Sequence, residues 1–284
     1  MPLSENYQNR LYPQLETLAE HFGTPFHIYD EIGIRNTVRH LKAILGDFSF
    51  KEYYAVKALP NPRILAILRE EGCGFDCSSP TEIVLARQVG ARGEEIMFTS
   101  NNTTAEEFAH AMADEGCIIN LDDINLIDKL PHIPDLISFR LNPKLDMGNA
   151  IIGKPAEAKF GIPQERIIDA YRVAKSRGVK RFGLHTMVVS NERDTETHLT
   201  SIEGLCLLAN EIQNTLNIKI DFINIGGGLG IPYHPDDKPL NLANFAKGIR
   251  YLWQKHNLDN VKLFMESGRF ITAPHGALIT RVIH

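Results

Sequence analysis

The sequence predicts a (β/α)₈ barrel with short β-rich segments at both ends. Short apolar runs alternate with amphipathic stretches along the chain, and most of these runs are continuously apolar, as in parallel strands covered on both faces. The length of 284 residues also suits a barrel, which typically uses about 250. A doubly wound open sheet is the competing topology.

Eight runs are predicted to be the barrel strands, because they are rich in β-branched, aromatic and other apolar residues. In chain order they are 52–57 (EYYAVK), 73–78 (CGFDCS), 95–100 (EIMFTS), 117–122 (CIINLD), 136–142 (LISFRLN), 182–189 (FGLHTMVV), 220–225 (IDFINI) and 262–266 (KLFME).

The stretches between these runs predict helices. PNPRILAILREEG has proline near its start and Gly72 at its end, as helices commonly do. PTEIVLARQVGARG and TAEEFAHAMADEG follow the next two strands in the same way. Regular alternation of strand and helix is the pattern of a βα barrel.

Two β-rich runs fall outside the eight units, 26–29 (FHIY) and 276–284 (GALITRVIH), and neither has a visible strand partner. We therefore predict that residues 1–30 contain the first strand of an appended β domain. Residues 31–271 are predicted to form the barrel. Residues 272–284 are predicted to begin a C-terminal β domain that the chain does not contain.

Composition excludes several classes of function. A net charge of −5 and a pI near 6.1 give no basic surface for nucleic acid or an anionic membrane. The opening MPLSENYQNR lacks the apolar core of a signal peptide, and no later segment reaches transmembrane length. The four cysteines fit neither a disulfide framework nor a paired zinc site. These features predict a reduced, cytoplasmic protein.

Unusual polar residues cluster at the carboxyl ends of the predicted strands, the face on which barrel enzymes carry their chemistry. They are Lys57, Asp76, Ser100, Asn101, Asp122, Asp123, Arg140, Asn142, His185, Ser190, Gly226–Gly228 and Glu266–Arg269.

Lys57 ends the first strand after four residues without another charge. Its side chain either reaches solvent past the strand end or is partly desolvated. Desolvation lowers the pKa of a lysine and makes the amine a nucleophile or a Schiff-base former.

The run NIGGGLGIPY places three glycines directly after the seventh strand. The glycines form either a tight turn or a set of backbone N–H groups around a phosphate. A dinucleotide motif would need glycine where Ile231 stands, and no P-loop ending follows. A phosphate monoester is therefore favoured, held between this loop and Arg269 after the eighth strand.

Glu266 closes the apolar run LFM in MESGRF. It forms either a surface ion pair with Arg269 or a buried carboxylate at the barrel mouth, which needs a cationic partner such as a protonated pyridine nitrogen. His185 reads more readily as a core histidine than as a catalyst. No cluster with metal-ligand spacing and no G-x-S-x-G motif is present, which disfavours a metalloenzyme and a serine hydrolase.

A strand-end amine, a phosphate loop and a buried carboxylate suggest one cofactor, pyridoxal 5′-phosphate. It offers an aldehyde, a phosphate and a ring nitrogen to those three groups.

Six motifs in order extend this interpretation: YYAVKALPNP, GCGFDCSSPTEI, FRLNP, AKFGI, GGGLGIPY and ESGRFI. From about residue 24 onwards the chain resembles the fold-type III pyridoxal-phosphate-dependent decarboxylases, whose barrel is of the alanine racemase type. Within that group it is most similar to diaminopimelate decarboxylase. The resemblance implies a homodimer and loss of CO₂ from meso-diaminopimelate to give L-lysine, a step of lysine biosynthesis.

The resemblance also implies roles for single residues. Lys57 matches the lysine that forms the Schiff base with the cofactor, and Glu266 the partner of the pyridine nitrogen. Asp76 and Arg140 match residues near the cofactor ring. Arg269 matches an arginine on the phosphate and substrate side. The remaining cofactor contacts implied are Met187, Ser190, Gly226, Gly227, Gly228, Ser267 and Gly268.

Three departures from the family accompany these matches. Met187 stands where the family has a histidine stacked on the cofactor ring, and Ser267 stands where it commonly has proline. The chain also ends before the family's C-terminal β domain. We therefore expect a piece of a longer enzyme, inactive or weakly active alone.

Other functions stay open at this level. The substrate is alternatively ornithine, lysine or a carboxynorspermidine-like amino acid. Rival functions are a non-catalytic pyridoxal-phosphate-binding barrel, an amino-acid racemase of the same fold, and a phosphate-sugar aldolase or isomerase. The carboxylate at Glu266 favours a decarboxylase over the carrier and over the racemase.

Overall fold

The fold was analysed in a computed structural model that describes residues 3–143 and 160–284. Its strands, numbered in chain order, are β1 (Phe26–Tyr29), β2 (Phe50–Ala55), β3 (Gly74–Cys77), β4 (Gly93–Phe98), β5 (Cys117–Leu121), β6 (Leu136–Asn142), β7 (Ile162–Pro163), β8 (Arg181–Thr186), β9 (Ile220–Asn224), β10 (Lys262–Met265) and β11 (Gly276–Ile279). Its α-helices are α1 (Glu5–Leu11), α2 (Leu15–Phe22), α3 (Glu31–Ile44), α4 (Pro62–Glu70), α5 (Pro80–Gln88), α6 (Ala105–Met112), α7 (Gln164–Ser176), α8 (Thr195–Leu216), α9 (Leu242–Lys255) and α10 (Arg269–Thr272).

Eight parallel strands of the described residues form a closed barrel. The strand order is β5-β4-β3-β2-β10-β9-β8-β6, and pairing of β5 with β6 closes the ring. The short β7 extends β6 beyond the ring, with Leu141 opposite Ile162. The barrel prediction is confirmed, and the open sheet is excluded because an open sheet leaves its two outer strands unpaired.

The three helices predicted after the first strands are present, and local capping explains where they begin. The Asn61 side chain accepts hydrogen bonds from the first turn of α4, and Ser79 does the same for α5. Thr104 and Glu107 form a capping box at α6. Gly72, at a φ of 77°, lies just past α4 in a conformation that favours glycine.

Strands β1 and β11 pair with each other. The pairing is antiparallel, with Phe26 opposite Ile279 and Tyr29 opposite Gly276. The sequence left both runs without a partner because they are about 250 residues apart, and the closed barrel brings them together. We refer to this pair as the terminal ribbon.

The barrel interior changes from apolar to polar along the strands. Successive inward positions are two residues apart. Toward the amino ends, the interior holds a layer of Tyr53, Met97, Ile118, Leu136, Phe222 and Phe264. Two residues further along the strands, buried polar side chains follow: Asp76, Asn120, Ser138, His185, Asn224 and Glu266. The apolar layer closes the barrel, and the polar layer forms the floor of its carboxyl-terminal mouth.

Seven of the eight predicted strands end one to three residues earlier than expected, including the first and the sixth. The first ends at Ala55, so Lys57 lies in the 3₁₀ turn Val56–Ala58 that leaves the sheet. The sixth ends at Thr186, so Met187 belongs to the following loop. Ala158 and Lys159 of the AKFGI motif lie outside the described residues. Over the described residues, none of the helices combines the length and apolar character required to cross a membrane.

Candidate active site

A cavity of about 560 Å³ opens at the carboxyl ends of the barrel strands. This volume is ordinary for a small-molecule site, for which about 300–1,000 Å³ is typical. The terminal ribbon borders it with His27, Tyr29 and Leu278. Eight sequence-predicted residues line it: Lys57, Met187, Ser190, Gly228, Glu266, Ser267, Gly268 and Arg269.

Four other predicted residues do not line this cavity in the described part of the chain. Asp76 and Arg140 lie on neighbouring parts of the barrel interior, and Gly226 and Gly227 lie behind Gly228 in the loop after β9.

Lys57 pairs with Asp76 across the first two barrel strands. Lys57 Nζ lies 3.2 Å from Asp76 Oδ2, and the two side chains are 60% and 1% exposed. Burial, reinforced by the charge of Glu266, raises the pKa of Asp76 to about 6, so this carboxyl is still ionised at neutral pH.

The expectation of a lowered pKa at Lys57 is wrong. The Asp76 carboxylate raises the pKa of Lys57 above its ordinary range, outweighing the opposite effect of burial. The sequence did not reveal this effect because Asp76 follows Lys57 by 19 residues. In the protein without a ligand, Lys57 is an ammonium held toward the cavity.

Glu266 is held from two sides by side chains of the barrel interior. Its Oε1 accepts a hydrogen bond from Asn224 Nδ2 at 2.7 Å. Its Oε2 lies 3.1 Å from His185 Nε2. Burial alone raises the pKa of Glu266, but the interactions with His185, Lys57 and Asn224 lower it overall. Glu266 is therefore a buried, ionised carboxylate rather than part of a surface ion pair.

The three glycines after β9 are required by close backbone packing. A Cβ at Gly226 would come within 2.4 Å of the Thr186 carbonyl oxygen, and one at Gly227 within 2.4 Å of the Glu266 carbonyl oxygen. The Gly226 N–H donates to Asn224 Oδ1, and the Gly227 N–H lies 3.3 Å from Met187 Sδ. These two N–H groups thus already have acceptors within the protein. This supports the interpretation of Gly226 and Gly227 as part of a tight turn.

Arg269 lines the same cavity and contacts Tyr233. Its Nη1 donates to the Tyr233 hydroxyl at 3.0 Å, and its guanidinium lies 5.7 Å from the centre of that ring. Tyr233 also lines the cavity, and it ends the GGGLGIPY motif. The loops after β9 and β10 therefore meet at this cation, as the barrel topology predicted.

Arg140 lies on β6 below Phe160, with its guanidinium 5.8 Å from the centre of that ring. Burial lowers the pKa of Arg140, although the carboxylates of Glu266, Asp122 and Asp76 act in the opposite direction. The guanidinium thus contributes positive charge to the acidic interior without lining the main cavity.

Sequence reasoning missed Asn224 and Glu52. Asn224 directly precedes the glycine run, and its position at a strand end was the available signal. Glu52 is fully buried on β2, and its Oε1 accepts a hydrogen bond from the Ser267 N–H. The available signal was a charged residue directly before the apolar residues 53–56. The contact between His185 and Glu266 was also missed, because 81 residues separate them.

The fold and sequence relate the chain to proteins of known structure. Diaminopimelate decarboxylase from Helicobacter pylori, complexed with L-lysine, superposes with a TM-score of 0.86 at 26% identity, covering 95% of this chain and 69% of that one. The M. jannaschii enzyme in complex with L-lysine gives 0.87 at 25% identity, covering 94% and 66%.

Curated sequences agree with this likeness. Protein TabA of Pseudomonas amygdali pv. tabaci is 41% identical, covering the whole chain and 68% of that protein. Diaminopimelate decarboxylase of Methanothermobacter thermautotrophicus is 35% identical, covering 93% of the chain and 64% of that enzyme. The chain spans about two thirds of the length of these relatives.

A family profile described as "Pyridoxal-dependent decarboxylase, pyridoxal binding domain" matches residues 33–273. The chain belongs to this family of pyridoxal-phosphate-dependent amino-acid decarboxylases.

The cavity residues fit pyridoxal phosphate. An amine, a buried carboxylate and a guanidinium line one cavity of suitable volume. Beneath or beside it, Asp76 Oδ1, His185 Nδ1 and Ser267 Oγ are buried without a hydrogen-bond partner in the described structure. Buried polar atoms of this kind are commonly completed by a ligand or by water.

Proposed function

We propose that the protein decarboxylates a basic amino acid with pyridoxal phosphate held by Lys57, Glu266 and Arg269. The observation that carries this proposal is the placement of the Lys57 amine and the ionised Glu266 carboxylate in one cavity. Membership of the decarboxylase family supports the class of reaction.

When bound, pyridoxal phosphate supplies a protonated ring that takes up the electron pair left when the bond from Cα to the carboxylate breaks. Glu266 is proposed to hold the proton on the ring nitrogen, because a nearby carboxylate favours the protonated form. This role distinguishes a decarboxylase from a barrel that only carries the cofactor.

His185 and Asn224 prepare Glu266 for that role. Their two hydrogen bonds fix the carboxylate and stabilise its charge inside the barrel. Each carboxylate oxygen keeps acceptor capacity for a further donor. Glu266 can therefore accept a hydrogen bond from the protonated ring nitrogen without releasing either neighbour.

Lys57 is proposed to bind the aldehyde carbon of the cofactor. Asp76 holds its amine toward the cavity at 3.2 Å and stabilises its positive charge. The amine must lose a proton before it can act as a nucleophile, and Asp76 opposes that loss because it stabilises the charged form of Lys57. Arg140 adds positive charge near the same carboxylates.

The phosphate is proposed to lie on the side of Arg269, with Ser190, Gly228 and Gly268 around it. A guanidinium is a strong partner for phosphate and carboxylate groups. Arg269 also lies where a substrate carboxylate would enter past the terminal ribbon. Met187 is proposed to pack on the cofactor ring through its thioether, while Gly226, Gly227 and Ser267 support these contacts from the adjoining loops.

The particular reaction proposed is conversion of meso-diaminopimelate to L-lysine and CO₂. Relatives named diaminopimelate decarboxylase support it, at 35% and 30% identity. TabA, at 41% identity, carries no substrate in its name, so another basic amino acid is the alternative. Product analysis of a version extended past His284, with meso-diaminopimelate, L-lysine and L-ornithine, separates these substrates, and CO₂ release from none of them would favour a non-catalytic cofactor carrier.

The cofactor assignment has a direct spectroscopic test. Added pyridoxal phosphate should give an absorbance band at about 420 nm, the usual position for its covalent adduct with a lysine. Reduction with borohydride followed by peptide mapping should place the label on Lys57, and the Lys57→Ala variant should lack the band. A protein that stays colourless with pyridoxal phosphate contradicts the proposal.

Three further assignments stay predictions: cytoplasmic location, a homodimer, and membership of residues 1–30 and 272–284 in an appended β domain. Size-exclusion chromatography with light scattering tests the dimer.

A further inference from the structure

Glu52 has no exposed surface, yet it carries a carboxyl group. Its Oε1 accepts a hydrogen bond from the backbone N–H of Ser267. Glu52 Oε2 and Ser267 Oγ are both buried without a partner in the described structure. A buried carboxyl in which only one oxygen has a hydrogen-bond partner destabilises the folded protein, so a role for it is expected.

The hydrogen bond ties β2 to the turn Glu266–Arg269, which carries two residues of the proposed cofactor site. Ser267 lies between Glu266 at the cavity floor and Arg269 at its mouth. Gly268 packs against the turn that holds Lys57, because a Cβ there would come within 2.6 Å of Ala58 Cβ. The turn is therefore held between Glu52 on one side and the lysine turn on the other.

The surroundings of Glu52 favour its uncharged form. Burial is the main reason that the pKa of Glu52 is raised to about 8. The Ser267 N–H and hydroxyl lower this pKa in part, and the charges of Glu266 and Asp76 act in the same direction as burial. The Cys73 thiol, just before β3, also interacts with it. At neutral pH Glu52 is thus mostly a carboxylic acid, which can accept from Ser267 and also donate one hydrogen bond.

We propose that Glu52 is a positioning residue that fixes the Glu266–Arg269 turn and so sets the placement of its two cofactor-binding side chains. The inference rests on the proposed function of those two residues and deepens it. An apolar side chain would fill the same space but would leave the Ser267 N–H without an acceptor, which makes the turn free to shift.

The variants Glu52→Gln and Glu52→Leu separate hydrogen bonding from packing. Glutamine keeps an acceptor for the Ser267 N–H, whereas leucine removes it at similar volume. Tyr54→Phe is the matched control, because Tyr54 lies on the same face of β2 and its hydroxyl contacts Thr272 Oγ1 at 3.2 Å, beyond the turn.

The dissociation constant of pyridoxal phosphate at pH 7 is measured by absorbance titration. We expect Glu52→Gln to stay within about threefold of the parent protein, and Glu52→Leu to bind at least tenfold more weakly. Tyr54→Phe should bind as the parent does. Thermal unfolding of each variant identifies any that fail to fold. A folded Glu52→Leu protein that binds as the parent does overturns the inference.

A pH series supplies a readout that packing alone would not move. As pH rises through about 8, Glu52 ionises and adds a negative charge beside Glu266 and Asp76. The ratio of the parent dissociation constant to that of Glu52→Gln should therefore increase above pH 8 and stay constant below pH 7. A constant ratio from pH 6 to 10 contradicts the proposal.

A measurement without cofactor distinguishes this inference from the proposed function. Carboxyl ¹³C NMR, assigned with Glu52→Gln, should show Glu52 titrating near pH 8 together with the Ser267 amide. If the parent protein does not bind pyridoxal phosphate, the proposed function fails while this titration still tests the contact. Titration of Glu52 near 4.5, its ordinary value, with an unresponsive Ser267 amide overturns the inference.

Discussion

His185 Nε2 lies 3.1 Å from Glu266 Oε2, and their side chains are 1% and 6% exposed. The histidine comes from β8 and the glutamate directly follows β10, with β9 between them. Asn224 of β9 completes the group. Three neighbouring strands thus supply one carboxylate and both of its protein donors.

Removing the His185 donor should raise the pKa of Glu266 and weaken cofactor binding. In His185→Leu, the Glu266 carboxylate is still buried, and burial favours its protonated form. It loses the interaction with His185, which is the largest of the interactions that lower its pKa. The dissociation constant of pyridoxal phosphate should rise at least tenfold, most strongly at acid pH where Glu266 now takes up a proton. The measurement is a titration from pH 5.5 to 8. His185→Gln, which keeps a donor, should lose less, and equal binding by the leucine variant and the parent would contradict this role.

Asp76→Asn should lower the pKa of Lys57. The carboxylate is the largest cause of the raised pKa, so a neutral amide leaves burial as the dominant influence on the amine. Acylation of Lys57 at pH 9, followed by mass spectrometry, should become at least tenfold faster in the variant. Lys180, which pairs with Asp135 on the surface, is the internal control and should react at the same rate in both proteins. Unchanged reactivity of Lys57 would refute the prediction.

Gly227→Ala should destabilise the protein by roughly 1–3 kcal/mol or more, since the added Cβ meets the Glu266 carbonyl oxygen at 2.4 Å and backbone cannot move aside cheaply. Gly204→Ala is the matched control. Gly204 lies inside α8 with nothing within 4 Å of its added Cβ, so alanine should stabilise the helix by about 0.5–1 kcal/mol. Urea unfolding measures both, and equal effects of the two substitutions would contradict the packing argument.

The apolar layer of the barrel predicts a non-additive pair. Phe222 stacks on Phe264 with ring centres 4.3 Å apart, so Phe222→Ala should cost about 3–5 kcal/mol. Gly183→Ala alone should also destabilise, because its Cβ would come within 2.1 Å of the Phe222 ring. In the Phe222→Ala background that space is open, so the second substitution should be neutral or stabilising. Additive free energies of unfolding would show that the two positions do not share this space.

The local pattern of the chain was sufficient to predict much of the fold. Continuous apolar runs indicated buried parallel strands, and prolines and glycines between them indicated helix boundaries. The residues at the ends of those runs indicated one functional face, because parallel strands of a barrel end on the same side. Lys57, Glu266 and Arg269 were found in this way, and all three line the cavity.

Contacts between distant segments could not be predicted in the same way. The pairing of β1 with β11 joins residues near both ends of the chain. The raised pKa of Lys57 depends on Asp76 of the neighbouring strand, and the packing of Gly226 and Gly227 depends on Thr186 and Glu266. Hydrogen-bond partners and local charges are properties of three-dimensional neighbours, which strand periodicity does not specify.

The sequence by itself therefore determined the barrel, the face that carries the chemistry and the kinds of group found there. Only the tertiary structure decided that His185 and Asn224 hold Glu266, that Glu52 holds Ser267, and that Asp76 keeps Lys57 charged. The physical reason is that periodicity acts over a few residues, whereas these electrostatic and hydrogen-bonding interactions act over a few ångströms between residues that barrel closure brings together.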